Sequence, residues 1–532
     1  MKEVRLLKSH FILIAILILF IITSTMSVWK YLAIHSSLLD LGLYVNQFEN
    51  NVLTSNIKIM PPEGHLQIFS HLYSFFYNLL PDNLSIIFIL ATQSFLLIIP
   101  AYWVWKLEGW IPASAYLLYF PLWFNILFDF HFEHLAVVFL VGFFLSVRLK
   151  RLGVAIIFAV ALALVKEIYS LQSIFCGVYI LLVDWNKGHE ESKVSLNSYK
   201  RVTVYFSGIG LIIFGFLYFY IVLESIIPLH SFQAAILDSP AYSWLGTNIT
   251  DMFWYIVTHT IDIFLEIFSN SDKVFYLILL FGALGFIPLL SPKPLIIAFP
   301  ILAISLLSNN PNHYGLGYHY TAGLIAPMIF AFADGLPRAK IIWQKIGLYT
   351  EWFIPVLLAG LILLHIVLSP SPISRLFWTN KVWSYGYQAY IETNRDIMIK
   401  MAIENNIPED SDIVVSIQNT VNWSPLVQRQ HFLIFPEGIA EVQQIPYFGN
   451  NFWPPEVKLK EVMAEYVVLD MKRPWFIGDI GCNWNFGKCT NEEMKNEYLN
   501  WVETTRNIMQ VAFEKDGFII FRRIKLEQEY ES

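Results

Sequence analysis

The sequence of 532 residues is poor in charge, since only 14% of its residues are Asp, Glu, Lys or Arg. Soluble domains usually carry about a quarter of their residues as charges. The net charge is −7, and the sequence contains no basic patch of the kind that binds a phosphate backbone. These shortages exclude a soluble globular enzyme, a disordered chain and a nucleic-acid-binding protein.

Cysteine is also scarce, with three residues, which is too few for a disulfide framework. Cys176 lies in an apolar run and is interpreted as a small buried hydrophobe. Cys482 and Cys489 flank a short loop, and we expect them to pair only if that part of the chain faces an oxidising space. A metal site there is the weaker alternative, because no histidine lies nearby to complete it.

Hydrophobic residues, by contrast, make up 56% of the chain. Several stretches of about 20 residues lack any charge, which is long enough to cross a hydrocarbon core of ~30 Å. The sequence therefore predicts an α-helical polytopic membrane protein of about eleven transmembrane helices. We place them at 9–31, 84–105, 111–128, 134–148, 152–165, 168–183, 202–224, 274–290, 294–308, 320–335 and 351–369.

The positive-inside rule orients these spans. A cytoplasmic N-terminus puts fifteen of the nineteen basic residues that precede residue 375 on the inner side. This requires two short helices within 152–183, joined at the outer face by Lys166 and Glu167. The predicted localisation is a multi-pass protein of the cell membrane, with the loops 32–83 and 225–273 and the C-terminal domain outside.

The last 158 residues differ in composition and hold 16 of the 35 basic and 22 of the 42 acidic side chains. We place a transmembrane domain at 1–370 and a small soluble extracytoplasmic α/β domain at 375–532. Its predicted elements are a helix at 394–405, strands in IVVSI, HFLIF and YVVLD, a polar helix at 491–509, and a hairpin turning at Asp516 and Gly517.

Ionisable side chains near membrane depth are costly and are therefore candidates for function. Asp40 opens the first external loop, where it either caps a helix or serves as a catalytic carboxylate, and the two roles are compatible. The motif FDFHFEH follows span 3. Its Asp129, His131, Glu133 and His134 either bind a cation or phosphate, with His131 and His134 on one face, or form a wetted hairpin tip.

Three further segments carry candidates. Lys166 and Glu167 either neutralise each other or offer a cation to a phosphate. His319, with Tyr318 beside it, stands at the entrance to span 10, and His65 either supports the site or lies on an interfacial helix. If these groups meet at the level of the lipid headgroups, they suit the transfer of a group from a lipid-linked phosphate to an acceptor. A carboxylate would take the proton of the acceptor hydroxyl, and cations would stabilise the leaving phosphate.

Several segments of the sequence resemble those of a known family. They are DLGLYVNQ, FDFHFEH, LVKE, LGFIPLLSP, AFPILAISLLS and YHYTAGLIAPMI, together with Gly64 and His65 in the first loop. Their order and placement over about residues 10–370 resemble a prokaryotic family of polytopic membrane proteins. That family is classed as a domain of unknown function and assigned to the GT-C glycosyltransferase superfamily. The resemblance therefore implies a GT-C-like transmembrane domain.

In GT-C enzymes an acidic residue of the first extracytoplasmic loop acts as the base, and Asp40 matches that position. The resemblance implies a polyprenyl-phosphate or polyprenyl-diphosphate sugar donor, with a glycan or glycoprotein as acceptor. Several GT-C groups carry a second acid where this chain has Leu41, which leaves metal dependence open. A divalent cation, Mg or Mn, would have Asp40 and Glu133 as candidate ligands.

The predicted function is accordingly a membrane glycosyltransferase with Asp40 as general base. His131, Lys166, His319 and Tyr318 are assigned to the donor phosphate, and His65, Asp129, Glu133 and Glu167 to support. The partners are membrane lipid, the lipid-linked donor and the acceptor, and not nucleic acid. The alternatives are a transporter or flippase, which an internal inverted repeat would favour, and a non-catalytic envelope scaffold, which would tolerate loss of Asp40.

Overall fold

The computed structural model describes residues 2–36, 38–42, 44–45, 48, 65–183, 185, 201–227, 241–246, 248–380, 385–408, 413–418, 431–435, 438–439, 463–472 and 491–524. Over these residues the chain is mostly α-helical, with one small sheet in its C-terminal part. Cys482 and Cys489 lie outside the described residues, so their pairing stays a prediction, whereas Cys176 is a buried free thiol.

The part of the chain up to residue 370 is a series of helices. In chain order they are α1 (Lys2–Leu32), a π-helical turn (Leu38–Gly42), α2 (Ser70–Leu79), α3 (Asp82–Ile98), α4 (Pro100–Glu108), α5 (Trp110–Leu118), α6 (Phe120–Leu127), α7 (Glu133–Arg148), α8 (Leu152–Ala163), α9 (Ile168–Leu182), α10 (Arg201–Ile221), α11 (Ile249–Thr258), α12 (Thr260–Ser269), α13 (Ser271–Gly282), α14 (Pro292–Leu307), α15 (Ala322–Lys345) and α16 (Phe353–Leu368). Short 3₁₀ turns include Pro311–Tyr314 and His319–Thr321.

Five helical segments among the described residues are long and apolar enough to cross a membrane. They are Ile12–Leu32, Leu84–Glu108, Arg201–Ile226, His319–Lys345 and Thr350–Leu368. Three shorter apolar helices, Leu152–Ala163, Ile168–Leu182 and Pro292–Leu307, lie between them. A membrane protein is therefore indicated, while the count of eleven spans stays a prediction.

The region 152–183 forms two helices, α8 and α9, as predicted. Residues 164–167 join them. Glycines then allow α9 to pack closely against α10. A Cβ placed on Gly177 would lie 2.6 Å from the carbonyl oxygen of Gly208. Small residues at such contacts let helices approach in a membrane, where no hydrophobic force drives them together.

The predicted external loop 225–273 contains two helices that its apolar residues had not suggested. The segments Thr250–Thr258 and Thr260–Ser269 meet at an angle of 85°. They leave several large apolar side chains exposed, among them Phe253, Trp254 and Phe264. Such a pair suits a broken span or a helix lying in the interface.

The end of α1 turns the chain sharply. Ile34 has a positive φ of 58°, and the backbone N–H of His35 donates to the carbonyl of Lys30 at 3.0 Å. This is the Schellman pattern, which usually places glycine at the left-handed position. A β-branched residue there is strained, and the turn leads directly into the π-helical turn that carries Asp40.

The C-terminal part forms a five-stranded mixed sheet with strand order β2-β1-β3-β5-β4. Its elements are α17 (Asn394–Asn406), β1 (Val414–Ile417), β2 (His431–Ile434), β3 (Tyr466–Asp470), α18 (Asn491–Ile508), β4 (Gln510–Lys515) and β5 (Phe518–Arg522). The predicted strands and helices are confirmed. Asp516 and Gly517, with φ of 51° and 79°, make the predicted hairpin turn.

This sheet is docked on the helical part through α17. His35 Nδ1 donates to the carbonyl of Ala389 at 2.9 Å, and its Nε2 lies 3.4 Å from Asp396 Oδ2. Asp396 also closes a capping box with Thr393 at the start of α17. One buried cluster of apolar side chains continues from the helices into this sheet, so the two parts share a core.

Candidate functional site

Asp40 is the third residue of the π-helical turn and not the cap that precedes a helix, so the capping alternative is wrong. Its Oδ1 lies 3.2 Å from His131 Nε2, and 22% of its side chain is exposed. π-helical turns are rare and are frequent at functional sites. The turn presents a carboxylate that is both held by a neighbour and open to solvent.

Two of the three phenylalanines of the FDFHFEH segment pack against Tyr44, and the third packs against histidine rings. Phe130 and Phe132 are fully buried, and both pack edge-on against Tyr44, with ring centroids 5.5 and 5.2 Å apart. Phe128 instead contacts the rings of His131 and His319, at 5.1 and 5.4 Å. This aromatic packing anchors the segment, so its polar side chains hold fixed positions.

Two hydrogen bonds and a stacked ring help to position His131. Its ring Nδ1 donates to the carbonyl of Asp129 at 3.1 Å, and its backbone N–H donates to Gln93 Oε1 at 3.0 Å. The ring stacks on His319 with a centroid distance of 3.7 Å. His131 therefore joins the Asp40 carboxylate to a second imidazole.

His134 makes other contacts, which do not favour the alternative in which His131 and His134 bind one ligand together. Its Nδ1 donates to the carbonyl of His131. The hydroxyl of Tyr73 donates to its Nε2 at 2.6 Å. Both ring nitrogens are occupied, so His134 is a neutral structural residue.

Glu133 stands between two positive or ionisable groups. Lys166 Nζ donates to Glu133 Oε1 at 3.1 Å, and His319 Nε2 lies 3.7 Å from the same oxygen. All three side chains are buried. Within the described part of the chain, Glu133 Oε2 and His319 Nδ1 have no hydrogen-bond partner. These two atoms are therefore able to form hydrogen bonds with a bound ligand.

The neighbours Lys166 and Glu167 take different hydrogen-bond partners, so the alternative in which they only neutralise each other is not favoured. Glu167 accepts from His65 Nδ1 at 2.6 Å and from the backbone N–H of Leu66 at 3.1 Å. The Glu167 side chain is fully buried, and that of His65 is 16% exposed. His65 thus ties the chain before α2 to the turn between α8 and α9.

Asp129 is held by a residue that the sequence had not singled out. Lys30, in the last turn of α1, donates to Asp129 Oδ1 at 2.9 Å. Its ammonium also lies 5.9 Å from the ring of Phe128. The signal that could have found it is a lysine at the end of a span, beside the acidic motif.

Tyr318 reaches the same region through aromatic contacts, with its ring 5.8 Å from that of Phe128. The hydroxyl of Tyr385 donates to the carbonyl of Gly317 just before it, and the Tyr385 ring packs edge-on against Phe124 at 4.9 Å. Tyr385 follows the last span and carried no sequence signal, yet it closes one side of the cluster.

The residues present do not fit a divalent cation at Glu133. Its Oε1 faces the ammonium of Lys166 at 3.1 Å, and a metal ion there would meet that positive charge. No group of three or more His, Cys, Asp or Glu side chains among the described residues is arranged to hold a metal. We therefore derive no step through a metal.

A second charged cluster lies at the other end of α7. Arg148 Nε donates to Glu108 Oε1 at 3.0 Å, and its Nη2 donates to Asp334. Glu133 and Arg148 begin and end α7, which at 1.5 Å per residue separates them by about 23 Å. We call the two clusters the Asp40 end and the Arg148 end.

Comparisons with known proteins can be set beside this geometry. A family described as "Predicted membrane protein (DUF2079)" matches residues 51–421. The chain belongs to this family. The resemblance noted in the sequence is thereby confirmed for the family, whose matched region contains FDFHFEH, Lys166 and His319. No curated protein matches the chain.

Among solved structures, the chain is similar to the oligosaccharyltransferase of Archaeoglobus fulgidus, crystallised with a tethered acceptor peptide containing an NVT sequon. The identity is 12% and the TM-score 0.39, and the match covers 96% of this chain and 74% of that one. A likeness at this level carries no argument about the activity of this member of the family.

Proposed function

We propose that the protein is a membrane glycosyltransferase that moves a sugar from a polyprenyl-phosphate donor to an acceptor hydroxyl at the outer face of the membrane. One observation supports the proposal most strongly: five side chains form a continuous line of contacts. Their order in space is Asp40, His131, His319, Glu133 and Lys166. They come from four segments that are far apart in the chain. Burial of so many ionisable groups together is energetically costly, and this cost is typical of functional sites in membrane proteins.

Asp40 suits the role of general base. Its carboxylate is partly open to solvent while its neighbour His131 is buried. A general base must reach the proton that it removes, directly or through one water. In the transfer, the acceptor O–H breaks and its proton goes to Asp40. The acceptor oxygen bonds to the sugar carbon, and the phosphate leaves with the electrons of its bond to that carbon.

Lys166 and His319 suit the leaving phosphate. A fixed cation stabilises negative charge best where water is excluded, and Lys166 is buried. Glu133 orients its ammonium, and His319 Nδ1 has no partner among the described side chains. Glu133 Oε2, also without one, is placed to accept a hydrogen bond from a sugar hydroxyl.

A lipid-linked donor also fits the surface beside this cluster. The helix α2 begins five residues after His65, whose ring contacts Glu167. It leaves Leu72, Phe75 and Leu79 exposed. An amphipathic helix of this kind lies in the membrane interface, which is the level of a lipid phosphate.

The test uses the full-length protein in lipid nanodiscs with labelled polyprenyl-phosphate hexoses. We expect wild type to release the label from the lipid phase, and Asp40→Asn to lower that rate by about 10²–10⁴-fold, the usual contribution of a general base. Asp334→Asn, at the Arg148 end, is the matched control and should keep the rate. A wild type that leaves every donor intact would overturn the proposal, and movement of intact donor across vesicles would favour a flippase.

A further inference from the structure

The positions of the protons on His131 follow from one contact of each ring nitrogen. Nδ1 lies 3.1 Å from the carbonyl oxygen of Asp129, and a carbonyl oxygen can only accept a hydrogen bond. Nδ1 therefore carries a proton. In a neutral imidazole the other nitrogen then has only a lone pair.

That second nitrogen, Nε2, lies 3.2 Å from Asp40 Oδ1. A bare nitrogen lone pair and an ionised carboxylate oxygen repel each other at this distance. The contact is favourable only when one proton lies between them. In the geometry observed, Asp40 and His131 therefore hold one proton in common.

We infer that Asp40 and His131 act as one proton-accepting pair, in which His131 takes over the proton that Asp40 removes from the acceptor hydroxyl. This inference rests on the proposed function. It gives His131 a positioning role at the base, in place of the phosphate contact expected from the sequence. The pair must first release its shared proton to solvent, which the partly exposed Asp40 allows.

The proton balance of one turnover is then closed. Before transfer, His131 carries a proton on Nδ1 only and Asp40 is ionised. The acceptor proton passes to Asp40 and comes to rest on His131 Nε2, as the new bond to the sugar forms and the bond to phosphate breaks. The resulting imidazolium faces a carboxylate, so the pair ends neutral.

The surroundings of the pair keep the proton local. Lys30 on α1 is paired with Asp129, and Lys166 is paired with Glu133. His319 stacks on the His131 ring. Among the described residues, the phenol of Tyr44 packs against the His131 ring, and Tyr385 interacts electrostatically with Asp40. Tyr318 and Tyr390 lie one step further away, beside Phe128 and Asp129. The flanking lysines face carboxylates, whereas Asp40 of the pair is partly exposed to solvent.

His134 offers a matched control three residues away. Its Nδ1 also donates to a backbone carbonyl, but its Nε2 accepts from the hydroxyl of Tyr73 and needs no further proton. Both histidines are buried and belong to one segment. They differ in whether a carboxylate faces Nε2.

The first experiment needs no substrate. Full-length protein with ¹⁵N-labelled histidine is measured in lipid nanodiscs by NMR at about pH 5.5, below the ordinary imidazole range of about 6.5. We expect both ring nitrogens of His131, assigned by its absence in His131→Gln, to be protonated. Asp40→Asn should remove the proton from Nε2, while His134 should stay neutral in every sample. An unprotonated Nε2 in the wild type would overturn the inference.

The second experiment is the pH profile of sugar transfer. The wild-type rate should fall as the pH is lowered, since the pair must lose its shared proton before it can accept another. In His131→Gln this acid limb should move to lower pH, because a carboxylic acid loses its proton at lower pH than an imidazolium does. His134→Gln should lower the rate without moving the limb. A limb that stays in place in His131→Gln would overturn the inference.

The two proposals fail separately. If His131 shares its proton with Asp40 but no donor is consumed, the glycosyltransferase proposal fails and the shared proton stands. If sugar is transferred and the acid limb does not depend on His131, the shared proton fails and the transferase stands.

Discussion

The two charged clusters at the ends of α7 are built from similar residues but differ in how completely they are satisfied. At the Arg148 end, one guanidinium donates to both Glu108 and Asp334, and the planar fork of arginine suits two carboxylates at once. This links α4, α7 and α15. At the Asp40 end, Glu133 Oε2 and His319 Nδ1 have no partner within the described residues.

This difference separates a structural cluster from a candidate site. A buried polar atom without a partner costs about 1–3 kcal/mol. A bound substrate that pairs with Glu133 Oε2 and His319 Nδ1 would remove this cost. We therefore expect substitutions at the Asp40 end to affect transfer, and those at the Arg148 end to affect folding.

The largest effect that sharpens this contrast is expected for Lys166→Met. Loss of a cation at the leaving phosphate should lower the rate of sugar transfer by about 10²–10³-fold. It also leaves Glu133 as an uncompensated buried charge, which costs about 3–5 kcal/mol of stability. The double variant Glu133→Gln with Lys166→Met should therefore recover the folded yield but not the transfer. Full transfer in that double variant would remove Lys166 from the mechanism.

A smaller effect is expected for Lys30→Met. The hydrogen bond from Lys30 to Asp129 is charge-assisted, and such a bond is worth about 1.5–3 kcal/mol. Its loss should loosen the carbonyl that holds His131 and lower the transfer rate by roughly 10- to 100-fold at saturating donor. The measured quantity is the rate per folded molecule. An unchanged rate would show that Asp129 holds its place without Lys30.

The junction between the helices and the sheet should respond to pH. Burial raises the pKa of Asp396, but hydrogen bonds from His35 and Thr393 outweigh it, so the pKa is lowered overall. A lowered carboxyl pKa stabilises the fold above about pH 4, and this stability is lost as the pH falls through the lowered value. At pH 7, Asp396→Asn should therefore lower the free energy of unfolding by about 1–3 kcal/mol.

The measurement is thermal melting of both proteins from neutral to acid pH, where the two curves should converge at the acid end. Glu514→Gln is the control, because the pair of Arg506 and Glu514 is exposed and exposed pairs contribute little. A constant difference between wild type and Asp396→Asn at all pH values would contradict the assignment. The transfer rate should change only a few-fold.

The smallest effect on transfer is expected for Arg148→Met. It leaves Glu108 and Asp334 uncompensated and should lower the stability by about 3–5 kcal/mol. The rate per folded molecule should stay at the wild-type value, because the cluster lies about 23 Å from Glu133 along α7. Folded protein is quantified by size-exclusion chromatography in detergent. A large loss of rate at full folded yield would contradict this prediction and show that the Arg148 end takes part in transfer.

Much of the local structure could be predicted because its causes are local. The apolar runs of α1 and α16, the break near Lys166, and the strands and hairpin of the C-terminal sheet follow from hydrophobicity, charge and turn residues. The helices α11 and α12 were missed, since their apolar residues were assigned to a loop. The π-helical turn around Asp40 was also missed, because nothing in DLGLYVNQ distinguishes it from a helix cap.

Pairing within the candidate site could be predicted only in part. The residue types at Asp40, His131 and Lys166 were selected by their cost at membrane depth. Their partners were not predicted, because Lys166 donates to Glu133, which lies 33 residues away in the chain. Lys30 and Tyr385 come from the ends of other spans, and spacing within a motif says nothing about distant segments.

Hydrophobicity and turn chemistry act over a few residues, so the amino-acid sequence was enough to predict a membrane protein, the distribution of its charges along the chain and most of its local elements. It could not predict that a carboxylate faces an imidazole whose other nitrogen donates to a backbone carbonyl. Hydrogen bonds and ion pairs depend on distances of about 3 Å, and only the packing of whole helices sets such distances between remote parts of a chain.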